Sequence, residues 1–118
     1  MDTEELVHRP FGCSVEATLS VVGGRWKPVI LFRLLEADML RFNELRRRIP
    51  AGVTQKMLTN QLRELEADGI VERRVYAEVP PRVEYRLTAH GRSLEPVLHA
   101  MRDWGVKHMA ERIFEVAA

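Results

Sequence analysis

Cysteine is scarce in this sequence, since Cys13 is the single one among 118 residues. One thiol excludes a disulfide framework and a cysteine-based zinc cluster within one chain. Long apolar runs are missing too, because the longest, Val29–Phe32, is far shorter than the roughly 20 residues that cross a bilayer. The first residues are acidic, whereas a secretory signal would be basic. We therefore expect a cytoplasmic protein with no membrane partner.

Motifs that support catalysis or hold a cofactor are also missing. No Gly-Lys-Ser/Thr follows Gly23-Gly24-Arg25, so these residues fit a helix stop better than a phosphate loop. No serine lies in a nucleophile-elbow motif. The histidines are His8, His90, His99 and His108, and nine-residue spacings place successive ones on opposite faces of a helix. We predict no enzyme activity, no cofactor and no metal.

The net charge is only +1, but the charged residues are unevenly distributed. Residues 41–63 carry six basic side chains and one acidic one, whereas both flanking segments are slightly acidic. Such a segment favours a local contact with a polyanion, because phosphates attract Lys and Arg and release counterions when neutralised. A solvated helix face would look similar, so charge alone leaves both interpretations open.

The length suits one domain, since domains commonly contain roughly 50 to 250 residues. Hydrophobic residues make up 46% and charged residues 30%, which is typical of a folded globular chain. Residues 1–12 show no sustained apolar period and end in Arg9-Pro10-Phe11-Gly12, which predicts an amino-terminal arm. Residues 13–118 are predicted to form the single domain.

Apolar spacing and capping residues predict four helices at the start of this domain. The first has Ser14 as its N-cap and ends at Gly23-Gly24. The second starts at Pro28 and is apolar on nearly every side, so we expect it at the buried centre. Met39-Leu40-Arg41 is an extended link to the third helix, which begins at Phe42. A four-residue turn should then lead to the fourth helix.

The fourth helix is followed directly by a predicted β-hairpin. Thr54 caps this helix and Gly69 ends it. Apolar residues then alternate along Ile70–Tyr76 and Val83–Leu87, on either side of a stiff tip that contains Pro80-Pro81.

A last helix, capped by Thr88, completes the domain, and Gly91 and Pro96 should break or kink its beginning. Two helices joined by a turn and followed by a hairpin give the element order of a winged helix-turn-helix. The predicted class is α+β, mainly α, with extra amino- and carboxy-terminal helices for dimerisation.

The fourth helix has the composition of a recognition helix. Such a helix fits the major groove, while the hairpin reaches the neighbouring backbone or minor groove. Its outer face carries amide, hydroxyl and cationic groups once its leucines turn inward. The predicted base contacts are Gln55, Lys56, Thr59 and Asn60, and the predicted phosphate contacts are Arg25, Lys27, Arg46 and Arg63. On the hairpin, Arg82 could contact the minor groove or form a salt link with Glu84 or Glu78.

Five longer stretches of the sequence form a recognisable set: Gly23-Gly24-Arg25-Trp26-Lys27-Pro28, Arg41-Phe42-Asn43-Glu44-Leu45, Gln55-Lys56-Met57-Leu58, Leu62-Arg63-Glu64-Leu65-Glu66 and Val79-Pro80-Pro81-Arg82-Val83-Glu84-Tyr85. Together they resemble the HxlR family of bacterial winged-helix regulators, within the wider MarR-like group. The resemblance runs from Cys13 through Gly105. It implies a homodimer, formed largely by the first and last helices, that presents two recognition helices to a pseudo-palindromic DNA operator.

Apolar residues on the first and last helices exceed what so small a domain can cover alone, which also predicts a dimer interface. These residues are Val15, Leu19, Leu94, Val97, Leu98, Met101 and Trp104. A ligand pocket lined by Met101 and Trp104 is the alternative, although apolar residues at helical spacing usually belong to a core or an interface.

Cys13 lies directly before the first helix, where the helix dipole favours a thiolate and His8, Arg9 or Arg25 could add to the effect. The resemblance implies that it occupies the place of a cysteine with which some members sense oxidants or electrophiles. A small buried residue that packs the arm is the alternative.

The sequence thus predicts a homodimeric, operator-binding transcription regulator with no known small-molecule effector. The alternative from another class is a winged-helix module that binds protein or RNA and reads no operator.

Overall fold

The computed structural model describes residues 11–113. The predicted arm over residues 1–12 lies outside the described residues, except for Phe11 and Gly12, and so does the end of the predicted domain. The elements in chain order are α1 (Ser14–Val22), α2 (Lys27–Ala37), β1 (Leu40–Arg41), α3 (Phe42–Arg47), α4 (Gln55–Ala67), β2 (Val71–Tyr76), β3 (Arg82–Leu87), α5 (Ala89–Arg92), α6 (Glu95–Met109) and a 3₁₀ turn (Ala110–Arg112). Within residues 11–113, no helix is long and apolar enough to cross a membrane.

α2 is the centre of the domain, as its apolar sequence predicts. Ile30, Leu31 and Leu34 are fully buried. Side chains from the other helices and from the sheet complete the core. These buried residues are Val22, Trp26, Leu40, Leu45, Ile49, Val53, Leu58, Leu62, Leu65, Ile70, Val71, Tyr85, Leu87 and Leu98. Burial of this apolar surface is the main term that holds α3 and α4 in fixed positions.

The predicted hairpin is present as β2 and β3, and β3 is the central strand of a three-stranded antiparallel sheet. Met39-Leu40-Arg41 was predicted only as an extended link. Leu40 and Arg41 instead pair with Tyr85 and Glu84 as a short edge strand. The edge of β3 that does not pair with β2 has backbone N–H and C=O groups that need partners. Leu40 is buried in the core, and this holds the link beside that edge of β3.

Two local predictions differ from the structure. Cys13, not Ser14, is the N-cap of α1, and its Sγ accepts a hydrogen bond from the Glu16 amide at 3.5 Å. The connection between α3 and α4 covers residues 48–54, which is longer than the predicted four-residue turn. Ile49 and Val53 anchor this connection in the core, so the chain needs extra residues to enter and leave.

The predicted break at the start of the last helix is confirmed. Thr88 caps the short α5 by accepting a hydrogen bond from the Gly91 amide at 3.0 Å. A new helix, α6, starts at Glu95, with Pro96 in its first turn, where the missing N–H costs no hydrogen bond. The break lets α6 pack on α2 through Leu98.

Candidate nucleic-acid interface

α4 is held by the core in one orientation. Thr54 caps the helix as predicted, because its Oγ1 accepts a hydrogen bond from the Met57 amide at 3.1 Å. The leucines at 58, 62 and 65 are at most 1% exposed. Their burial fixes which face of α4 turns outward.

The outer face of α4 carries the side chains predicted to meet DNA. Gln55, Lys56, Asn60 and Arg63 are exposed, and Thr59 is half-buried. All five lie along one side of a helix whose 13 residues span about 20 Å. Such a surface has the length and the hydrogen-bonding groups needed to contact several base edges.

Lys27, which was predicted to contact phosphates, forms an ion pair within the protein. Its Nζ lies 3.1 Å from the carboxylate of Glu64 on α4, and its side chain is only 13% exposed. The ion pair ties the start of α2 to α4, and we therefore remove Lys27 from the phosphate-contacting set. Arg25, which rests 4.6 Å above the Trp26 ring, and Arg46, in the last turn of α3, are exposed as expected.

Arg82 forms the salt links that we had considered as the alternative to a minor-groove contact. Its guanidinium lies 3.3 Å from Glu78 and 3.3 Å from Glu84. The same group lies 4.0 Å from the centre of the Tyr76 ring. These contacts hold the Arg82 side chain against the β2–β3 hairpin, which we call the wing.

Strands β2 and β3 of the wing also carry a cluster of charged residues that was not predicted from the sequence. Glu84 is buried at 4% exposure and bonds Arg86 at 3.2 Å as well as Arg82. Arg74 lies opposite Glu84 on β2. The neighbouring Glu72 carboxylate raises the pKa of Arg74 above its ordinary value, so this guanidinium stays charged. The alternation of Arg, Glu and Arg along β3 is the signal that could have revealed the cluster.

The predicted dimer surface is only partly present. Val15, Leu19, Met101 and Trp104 are 47–66% exposed, and Val97 lies beside them at 36%. Together with Val22 and Pro28, four of these side chains line an apolar groove between α1 and α6. Leu98, by contrast, is only 2% exposed and belongs to the core, and Leu94 packs against the same core. Leu98 therefore has almost no surface left for an interface, whereas the half-buried Leu94 stays a predicted interface residue.

Cys13 is exposed, so it is not the buried residue of the alternative interpretation. Its sulfur faces the first turn of α1 through the bond from the Glu16 amide. His8 and Arg9, which could help to stabilise a thiolate, lie outside the described residues.

The comparisons with known proteins agree with this architecture. The profile of the HxlR-like helix-turn-helix family matches residues 21–113. The chain is 55% identical over 97 residues to YdeP, an uncharacterized HTH-type transcriptional regulator of Bacillus subtilis, covering 82% of this chain and 74% of YdeP.

Several solved structures are similar, and two of them show the degree of similarity. The redox regulator HypR in its oxidized form has a TM-score of 0.76 at 54% identity, covering 81% of this chain and 97% of HypR. The reduced form of the transcriptional regulator YodB from B. subtilis has a TM-score of 0.69 at 37% identity, covering 84% of this chain and 96% of YodB. The winged helix-turn-helix, the family profile and these relatives establish that this chain is a transcription regulator, not an enzyme, and belongs to the HxlR-like helix-turn-helix family.

Proposed function

We propose that the chain acts in the cytoplasm as a homodimer that binds a pseudo-palindromic operator. The observation that carries the proposal is the outer face of α4, which presents Gln55, Lys56, Thr59 and Asn60 on a helix anchored by buried leucines. Rigid presentation lowers the entropy lost when side chains meet bases. Arg63 lies on the same helix, Arg25 and Arg46 are exposed on neighbouring elements, and these guanidinium groups suit the phosphate backbone.

Base readout by Asn60 is the first step to test, with Asn60→Ala against Glu66→Ala as a control on the carboxy-terminal half of α4. Removing a side-chain amide that bonds a base costs about 1 to 3 kcal/mol of binding free energy, and only at that base position. We expect Asn60→Ala to lower affinity for a duplex from the gene's own upstream region and to leave random DNA unchanged. Gel retardation over a range of salt concentrations measures both.

Equal losses on specific and random DNA would contradict the role of Asn60. If the unaltered protein retards no upstream duplex at physiological salt, the operator proposal fails, and a module that binds protein or RNA becomes the better explanation.

The dimer is proposed from the apolar groove between α1 and α6. Val15, Leu19, Met101 and Trp104 are large and exposed in the single chain. Exposed apolar residues that adjoin one another are typical of an interaction surface. Two-fold pairing is the commonest soluble assembly, and it would place two α4 helices about one DNA turn apart.

Trp104→Asp tests this surface, because it places a charge on an exposed apolar residue of the proposed interface. We expect a dimer in the unaltered protein and a shift to monomer in the variant, measured by sedimentation. Val106→Asp, also at an exposed residue of α6 but on another side of the helix, is the matched control. A variant dimer of unchanged strength would place Trp104 outside the interface.

Control of the dimer through Cys13 is the finer part of the proposal. Cys13 is exposed at the amino terminus of α1, which also borders the proposed interface. The similar HypR is described as a redox regulator. We propose that oxidation or an electrophile adduct at Cys13 changes the spacing of the two α4 helices.

A further inference from the structure

Glu84 is the one charged residue that is buried among residues 11–113, with 4% of its surface exposed. It lies on the central strand β3, and its two carboxylate oxygens take different partners. Oε2 lies 3.3 Å from Arg82, and Oε1 accepts a hydrogen bond from Arg86 at 3.2 Å. The carboxylate is therefore shared between two guanidinium groups.

The strand register collects four arginines around this carboxylate. Arg82 and Arg86 flank Glu84 at two-residue spacing on β3, and residues so spaced share one face of a sheet. Arg74 on β2 and Arg41 on β1 lie directly opposite Glu84, and directly opposite residues also share a face. We call this side of the sheet, with Arg41, Arg74, Arg82 and Arg86 around Glu84, the arginine face.

Stability alone gives little reason to bury this carboxylate. Removing a charge from water is costly, and replacing a buried ion pair by apolar residues is often neutral or stabilising. Nε of Arg82 and Nε of Arg86 are, in addition, buried without a hydrogen-bond partner among residues 11–113. What the cluster does provide is a defined position for the arginine side chains.

Arg82 shows how closely that position is defined. Glu84 and Glu78 hold two of its nitrogens, and the Tyr76 ring lies against the guanidinium plane. About 31% of its side chain remains exposed, and the value for Arg86 is 32%. Both arginines thus keep a surface for a partner in a fixed position.

We propose that Glu84 is a positioning residue for DNA binding, whose buried carboxylate fixes Arg82 and Arg86 so that the wing presents a preorganised cationic surface to the phosphate backbone. The proposal rests on the proposed operator binding, and it assigns Glu84 no contact with DNA. Arginine side chains that are already fixed lose less conformational entropy on binding than free ones, and this favours binding to the operator.

Positioning and simple charge predict opposite effects for Glu84→Gln. The substitution removes one negative charge beside the DNA, so a purely electrostatic role predicts tighter binding to every sequence. A positioning role predicts weaker operator binding, because the glutamine N–H₂ group would face a guanidinium donor and one of the two arginines would lose its acceptor at residue 84.

The matched control is Glu72→Gln, which makes the same charge change on the same face but at a more exposed pair with Arg74. A second variant, Arg82→Lys, keeps the charge but cannot bridge Glu78 and Glu84 with a planar fork. We expect Glu84→Gln and Arg82→Lys each to weaken operator binding about tenfold, which corresponds to about 1.4 kcal/mol. Glu72→Gln should leave it unchanged or strengthen it.

Retardation titrations with operator and random DNA give these affinities, and NMR of the Nε–H groups gives a readout independent of DNA. In the unaltered protein, Arg82 and Arg86 should give separate Nε–H signals that exchange slowly with water. Glu84→Gln should speed that exchange, and Glu72→Gln should not.

Tighter operator binding by Glu84→Gln, or equal behaviour of Glu84→Gln and Glu72→Gln, would overturn the proposal. If Glu84→Gln does not fold, Arg82→Lys provides the test, and operator binding by Arg82→Lys as tight as that of the unaltered protein would overturn the proposal. Absence of operator binding by the unaltered protein would instead reject the proposed function, and the DNA role of Glu84 with it.

Discussion

Lys27 illustrates how one ion pair changes the role of a side chain. The residue adjoins the exposed Arg25, yet its ammonium is bound to Glu64 and largely covered. A lysine already neutralised by a carboxylate releases few counterions when DNA arrives. We therefore assign Lys27 to the orientation of α4.

The expected result for Lys27→Met is a small loss of stability with no change in the salt dependence of operator binding. The methionine keeps most of the apolar stem, so the loss reflects the ion pair. Because Glu64 is 58% exposed, the pair contributes only about 0.5 kcal/mol to the free energy of unfolding. Urea unfolding and salt titrations of binding provide the measurements.

Arg25→Met is the comparison for Lys27, since it removes a neighbouring charge from an exposed position. It should lower the salt slope by about one unit, as the loss of one phosphate contact does. A similar decrease for Lys27→Met would return Lys27 to the phosphate-contacting set.

α5 packs closely against the turn before β2. A Cβ added at Gly91 would lie 2.2 Å from the carbonyl oxygen of Ile70. That oxygen also accepts a hydrogen bond from the Thr88 amide at 3.0 Å, and the Thr88 hydroxyl donates to the neighbouring Gly69 carbonyl oxygen at 2.6 Å. Neither partner can move without breaking the cap of α5.

Gly91→Ala should consequently destabilise the fold by about 1 to 3 kcal/mol, the usual cost of forcing an atom into a packed site. Gly105→Ala is the matched control, because no atom lies within 4 Å of the added Cβ and the glycine lies within α6. It should stabilise the helix by about 0.5 to 1 kcal/mol. Urea unfolding at equal protein concentration compares them, and equal losses would show that the Ile70 contact is not the cause.

Local signals explain which elements could be predicted from the sequence. The Thr54 and Thr88 caps, the leucines of α4 and the break near Pro96 depend on neighbours within a turn or two, and each was predicted correctly. The pairing of Leu40-Arg41 with β3 was missed, since it depends on a partner more than 40 residues away in the chain.

The candidate site divides in the same way. Helical periodicity was enough to place Gln55 and Asn60 on the outer face of α4. The partners of Lys27 and the burial of Leu98 depend on how α4 and α6 pack, which spacing along one helix does not determine.

The assembly of two chains decides what Cys13 can do. Residues 11–113 contain no second cysteine, and neither does the rest of the sequence. A disulfide therefore needs a second thiol, either Cys13 of a second chain or a small thiol, whereas an electrophile would add to the sulfur directly. Because α1 borders the proposed interface, each product would alter the contact between the two subunits.

The expected outcome is that diamide lowers operator affinity of the unaltered protein at least tenfold and that a thiol reductant restores it. Diamide takes two electrons and two protons from a pair of thiols, which become one disulfide. Cys13→Ser should bind the operator equally well with and without diamide, because the variant has no thiol to oxidise. The serine hydroxyl can still cap the first turn of α1, so the substitution should preserve the helix. Mass spectrometry under non-reducing conditions separates a linked dimer from a mixed disulfide with added glutathione. If treatment leaves the unaltered protein's affinity unchanged, or changes that of Cys13→Ser equally, the thiol does not control the dimer, and Cys13 remains only the N-cap of α1.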